Sequence, residues 1–164
     1  MQESSTLMMV AGRLDIGVPD IPISKRMPLA RSHEEPRMIE LDHIILPVND
    51  RARSLAFYTE IVGLVHDGDR PPFSMLRVTP GFVIQIAPWG TSGGEHLAFA
   101  MSKPEFDETF GRVKAAGIAY GDRFDAVGNM QGPGDEAAAR GMGKAVYFFD
   151  PDKHLIEIRH YDPV

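Results

Sequence analysis

Tyr147-Phe148-Phe149-Asp150-Pro151-Asp152-Lys153-His154-Leu155-Ile156-Glu157 reads as two strands folded back on a turn. Proline presets φ at one turn position and the flanking aspartates can bond their own backbone. Asp150-Pro151-Asp152-Lys153 therefore closes a hairpin between Ala145 to Phe149 and Leu155 to Tyr161. The second arm carries a carboxylate, Glu157, between Ile156 and Ile158. Upstream the same arrangement recurs as Ile84-Gln85-Ile86, inside a run from Phe82 to Ala87 whose faces separate as Phe82, Ile84, Ile86 against Val83, Gln85, Ala87.

Working outward from these two endings, an internal repeat emerges. His43 and His96 are 53 residues apart, and so are Phe57 and Phe110 in the segments behind them. Ile39 to Leu46 reads as a strand with Leu41, His43 and Ile45 on one face. A helix follows, with Asp50 as N-cap, Leu55, Tyr58, Ile61 and Val62 at helical spacing, and Gly63 just past its end. Glu95 to Met101 alternates His96, Ala98, Ala100 with Leu97, Phe99, Met101. Its helix is announced by Ser102 and Glu105 spaced as a capping box, Pro104 in the first turn, a Phe106, Phe110, Val113 stripe and Gly117 as the stop. Each unit thus reads strand, helix, two or three strands. Two such units bury their helix-facing sides and can join edges into one curved sheet, whose other face carries His43, Gln85, His96 and Glu157 around a concavity.

Composition bounds the function. The 164 residues carry 17 basic and 23 acidic side chains, a net charge of −6. A nucleic-acid binder shows a basic excess, so nucleic acid is not the expected partner. No apolar run approaches the roughly 20 residues of a membrane span. With no cysteine, any metal must be held by nitrogen and oxygen. Residues 1–37 stand apart, with five acids, five bases, Pro19, Pro22, Pro28 and Pro36, and no sustained period. They read as an extended or flexible arm, ahead of one domain over 38–164 made of modules at about 38–92 and 93–162. The arm lacks the continuous apolar stretch of a secretory signal, so a cytoplasmic protein is expected.

Three motifs carry a resemblance: Leu41-Asp42-His43 at the first strand, Gly94-Glu95-His96 opening the second module, and the hairpin Tyr147 to Glu157. In these the chain resembles the vicinal oxygen chelate superfamily, which includes glyoxalase I, extradiol ring-cleavage dioxygenases, fosfomycin-resistance enzymes and bleomycin-binding proteins. The resemblance spans about residues 38–162. It implies an α+β fold of paired βαβββ modules forming a curved mixed sheet around a metal site. It also implies a divalent metal held by His43, His96 and Glu157. Two imidazoles and a carboxylate suit Fe(II), Mn(II), Zn(II) or Ni(II), and leave positions open where adjacent oxygens of a small-molecule substrate can chelate. A homodimer is the expected assembly.

Within the superfamily, the extradiol dioxygenase pattern is matched at Val146-Tyr147, Asp150-Pro151 and Glu157, with Tyr147 corresponding to its active-site tyrosine. Lys153 replaces the usual Gly or Pro in the turn, and Ala138 stands where that pattern has a second histidine, so proton transfer would fall to His154, His160 or water. Fosfomycin-type enzymes resemble Tyr147 to Glu157 nearly as well, including His154-Leu155, and their phosphonate would need basic groups such as Arg140, Lys144 or Arg159. Glyoxalase I is similar at Val83-Ile84-Gln85 and Trp89-Gly90, but its bacterial relatives place a basic glutamate where Gln85 stands, and an amide cannot act as a base. A dioxygenase-like oxidoreductase is the leading expectation, with Tyr147 and Gln85 positioning substrate. Epoxide opening and a glyoxalase-type lyase follow. The rival class is a sequestering protein of the bleomycin-resistance kind, whose acidic groove would trap a cationic drug. Arg159 and Tyr161 follow Glu157 at period two and, with His154, are the candidate substrate contacts. His33, His66 and His160 read as surface residues.

Overall fold

The computed structural model describes residues 39–162. The arm expected over residues 1–37 lies outside them.

The first module opens with β1 (His43–Pro47), whose uncharged, β-branched sequence favours extended backbone. Asp50 caps α1 (Arg51–Ala56), accepting from the Arg53 N–H at 3.0 Å. From Phe57 to Val62 the helix widens to π geometry, which lets the adjacent Phe57 and Tyr58 both bury, and it stops on Gly63 at φ 91°. Then come β2 (Val65–Arg70), β3 (Phe73–Thr79) and β4 (Phe82–Ala87). They form a sheet in the order β1-β4-β3-β2, with β1 parallel to β4.

The second module repeats the plan with β5 (His96–Ala100) and α2 (Lys103–Ala115). The Ser102/Glu105 capping box is formed as the sequence predicts, satisfying two orphan N–H groups at once. After it lie β6 (Tyr120–Gly121), β7 (Gly134–Ala138), β8 (Gly141–Phe149) and β9 (Leu155–Tyr161). The order is β5-β9-β8-β6, with β7 also paired to β8 and β5 parallel to β9.

Strand registers make the repeat geometric. Ile45 lies beside Gln85 as Ala98 lies beside Glu157. Met75 faces Gln85 as Tyr147 faces Glu157. The helix-facing parity of both sheets (Leu46, Ile84, Ile86; Phe99, Ile156, Ile158) joins Tyr58, Phe106, Phe110 and Val113 in one core. The opposite parity carries the polar residues. His160, expected at the surface, has the core parity instead and packs edge-on against Phe106 at 5.0 Å, while His66 is exposed.

The modules form two separate sheets within the chain, and the edges of β1 and β5 are not joined to each other. The shared core joins the modules, Arg112 of α2 donates to the Ile61 carbonyl at 2.9 Å, and the β8–β9 turn is seated on the first helix. Asp150 accepts from the Tyr58 hydroxyl at 2.8 Å and from the backbone of Asp152 and His154. Asp152 accepts from the Ser54 hydroxyl and from the backbone and amide of Asn49. Every carboxylate oxygen of Asp150 and Asp152 thus meets at least one donor, as burial requires. No helix among the described residues is long and apolar enough to cross a membrane.

Candidate functional site

The four polar residues on the open faces fall into two half-sites, one per module. On the second, His96 leaves the start of β5 and Glu157 the middle of β9, and their side chains meet: Nε2 of His96 lies 3.2 Å from Oε2 of Glu157. Two donors bound to one ion at right angles, with bonds of about 2.1 Å, stand about 3.0 Å apart, so the spacing fits a shared divalent metal. His96 is half-exposed and Glu157 buried, which leaves the imidazole side of the pair open.

Arg159 holds the other carboxylate oxygen. Its Nη1 donates to Glu157 Oε1 at 2.9 Å and its Nη2 to the Glu136 carbonyl at 3.1 Å, while its guanidinium lies 4.6 Å over the Tyr161 ring. Its Nε is buried with no acceptor among the described residues. A buried carboxylate is costly to leave unpaired, and Arg159 supplies its positive partner.

Tyr147, opposite Glu157 in the ladder, tilts its ring toward His96 at 6.2 Å and donates its phenol to the Glu136 carboxylate. Burial pushes the phenol's pKa up, and the Glu136 bond and the negative charge of Glu157 push it further, so it stays protonated.

The first module's half-site mirrors this one with weaker ligands. His43 donates from Nδ1 to Asp42 Oδ2 at 2.6 Å, which fixes the tautomer and leaves Nε2 as the free lone pair. With Gln85, Met75, Arg70 and Arg77 it lines a cavity of about 250 Å³. Gln85 occupies the position equivalent to Glu157, so this half offers one imidazole and an amide. Among the described residues no three His, Asp or Glu side chains of one chain converge as a metal-holding group. His43 therefore does not complete the His96–Glu157 pair within its own chain.

His154 has a different place. It is wholly buried, its Nδ1 accepting from the Glu95 N–H at 3.3 Å and its Nε2 donating to the Pro47 carbonyl at 2.9 Å. Both ring nitrogens are spent on backbone, tying the end of β1 to the residue before His96. Two residues that contact the candidate site side chains, Asp42 and Glu136, were given no role from sequence. Asp42 could have been found from its place directly before His43. Glu136 could not, because its strand lies in a glycine-rich stretch with no alternation to mark it.

This arrangement, paired βαβββ modules with metal-type donors on their open faces, defines a class. The model of the Glyoxalase/Bleomycin resistance protein/Dioxygenase superfamily matches residues 40–158, and the chain belongs to that superfamily. The virulence protein STM3117 of Salmonella typhimurium is 27% identical over 146 residues, covering 80% of this chain and 92% of that protein. Its crystal structure matches with a TM-score of 0.60 over 76% of this chain and 98% of that one. The fosfomycin resistance protein FosX of Listeria innocua is 28% identical over 129 residues, 72% of this chain and 86% of that protein. The structure of oxidase ChaP-H1 is 28% identical, with a TM-score of 0.64 over 77% of this chain and 98% of that one.

Proposed function

We propose that this protein is a divalent-metal-dependent enzyme acting on a small oxygenated organic molecule, with dioxygenase-like chemistry as the leading reading. We further propose that its site is shared by two copies, His43 coming from one and His96 with Glu157 from the other. The observation that carries both is the 3.2 Å His96–Glu157 pair, open on one side and short of a third ligand. His43, preset by Asp42 with Nε2 free, has the chemistry of the missing donor. The unpaired edges of β1 and β5, which carry the two histidines and no charge, support a second copy as the partner.

When bound, iron(II), manganese(II), zinc or nickel would supply Lewis acidity toward adjacent substrate oxygens. The chain's own residues do the rest. Arg159 fixes the orientation and charge of Glu157. Tyr147, held by Glu136 beside His96, sets the position of a substrate oxygen. Gln85, an amide with a donor and an acceptor, orients the substrate without taking its proton. Likeness to oxidase ChaP-H1 supports an oxidative reaction. Likeness to FosX, and the buried cation Arg159, favour epoxide opening on an anionic substrate as the second reading.

The test is metal analysis of protein purified without chelator, then anaerobic Fe(II) reconstitution and oxygen uptake with catechols. Bound iron with uptake supports ring cleavage. Bound manganese or nickel without uptake moves the assignment to epoxide or hemithioacetal chemistry. No stoichiometric metal, with micromolar binding of a cationic drug, overturns the enzyme reading in favour of a sequestering protein.

A further inference from the structure

The open face of the first module changes character along its length. At one end stand His43 and Gln85; beyond them the same parity presents Ile45, Pro47 and Ala87, and the face ends at Phe73 and Trp89. Phe73 and Trp89 meet edge to face, with ring centroids 5.6 Å apart at 69°. Trp89 is nevertheless 58% exposed, the bulkiest of the exposed apolar side chains among the described residues.

The loop carrying this indole is fixed. Trp89 N–H donates to the Ala87 carbonyl and Gly90 N–H to the Val48 carbonyl. Asn49 grips Thr91 twice, accepting from its N–H and donating to its carbonyl, both at 3.0 Å. Asn49 is in turn held by Asp152. An exposed indole on a loop with so little freedom loses little entropy when a ligand lands on it. Small-molecule sites combine an apolar wall with a few placed polar groups, and this face has that form.

We propose that Trp89 and Phe73 form a distal subsite that takes the flat aromatic body of the substrate, whose oxygenated head lies at the His43–Gln85 end. The head-to-body reach is set by the strand. Phe73 is two residues from Met75, which pairs with Gln85, so it lies about 7 Å along the face from Gln85, and the preferred ligand has at least two fused rings. Aromatic stacking against an indole rewards ring area, which makes this subsite a filter for size and planarity. The proposal rests on the shared-site reading only for the position of the head.

Trp89 is the only tryptophan, so its emission reports this subsite alone. The experiment titrates the full chain, metal-free and Zn(II)-loaded, with 2,3-dihydroxynaphthalene, 2-naphthol, catechol and propane-1,2-diol, reading Trp89 quenching and calorimetric affinity. Both naphthols should bind and quench, the dihydroxy compound more tightly with metal, and each at least about tenfold better than catechol or the diol. Trp89→Leu and Phe73→Ala should each remove that preference for two rings, with metal content and dimer mass unchanged. Equal binding of one- and two-ring compounds overturns the subsite. So does Trp89 emission that is already blue-shifted and shielded from iodide in the unliganded protein but exposed on dilution, since a second copy would then cover the patch. 2-Naphthol lacks adjacent oxygens, so its binding to metal-free protein stands even if the metal reading fails. Normal metal content with no naphthol binding rejects only the subsite.

Discussion

Arg159 and Glu157 lie two residues apart on β9, both almost fully buried, and pair at 2.9 Å. Breaking such a pair strands the survivor without water or partner. Arg159→Met should therefore cost about 3–5 kcal/mol in metal-free protein, measured by urea unfolding. A divalent ion on the opposite carboxylate oxygen would give Glu157 a second positive neighbour, so the same substitution should cost clearly less when saturating Mn(II) or Zn(II) is present. Equal costs with and without the ion would mean that Glu157 binds no metal. At this scale the sequence is readable where parity acts: the period-two spacing that puts Arg159 and Tyr161 beside Glu157 predicts the observed guanidinium stack. It fails at Glu136, whose only signal is tertiary. β7 and β8 pair around glycines with no room for a side chain, since a Cβ on Gly134 would sit 2.3 Å from the Asp122 carbonyl oxygen and one on Gly143 2.1 Å from that of His160. The glycines that permit the strand are what make it look like a loop.

Among the elements, the β8–β9 turn bears the most consequence. Its motif resembles that of a catalytic family, yet Asp150, Asp152 and His154 do structural work here, joining the turn to residues of the first module. Burial alone would raise the Asp152 carboxyl, but donors from Ser54 and from the backbone and side chain of Asn49 outweigh it and hold its pKa below the ordinary value. A depressed native pKa contributes stability that is whole above the unfolded value, near 3.9, and is lost as pH falls below it toward the native one. Asp152→Asn keeps the shape but removes one acceptor and the charge. It should cost about 1–3 kcal/mol at pH 7, with the gap to wild type narrowing steadily below about pH 4 in acid-unfolding titrations. Gly93 lies beneath the same turn at φ 84°, where a Cβ would meet the carbonyl oxygens of Lys153 and Asp152 at 2.5 and 2.6 Å. Gly93→Ala should lower stability by about 2–4 kcal/mol and, by displacing the approach to His96, weaken metal binding as well; a stable variant with unchanged metal affinity would separate the turn from the site. The hairpin itself was legible because Asp-Pro-Asp chemistry is local. Its docking was not, because the partners Tyr58 and Pro47 stand 92 and 107 residues away from Asp150 and His154. The helix after Asp50 was legible for the same local reason, whereas its π turn answers to the core around Phe57 and Tyr58.

For the whole molecule, the repeat sets the arithmetic. The repeated module gives each chain two half-sites at equivalent strand positions, with His96 and Glu157 in one and a single imidazole with an amide in the other. A carboxylate at Gln85 would have let either half bid for metal. On the shared-site proposal the halves are complementary: one chain has two incomplete sites, and a pair of chains joined through the β1 and β5 edges would have two complete ones. The pairing is testable by complementation. His43→Ala chains cannot supply the first donor, and Glu157→Ala chains cannot supply the last, so homodimers of either should be without tightly held metal. In a heterodimer both defects fall into one site and the other receives His43 from the Glu157→Ala chain, His96 and Glu157 from the His43→Ala chain. Equal mixing through a dissociating step makes half of the dimers mixed, so metal content and turnover should recover to about one quarter of wild type. Recovery that stays at zero while mass measurements show heterodimers would place all three ligands in one chain and end the shared-site reading.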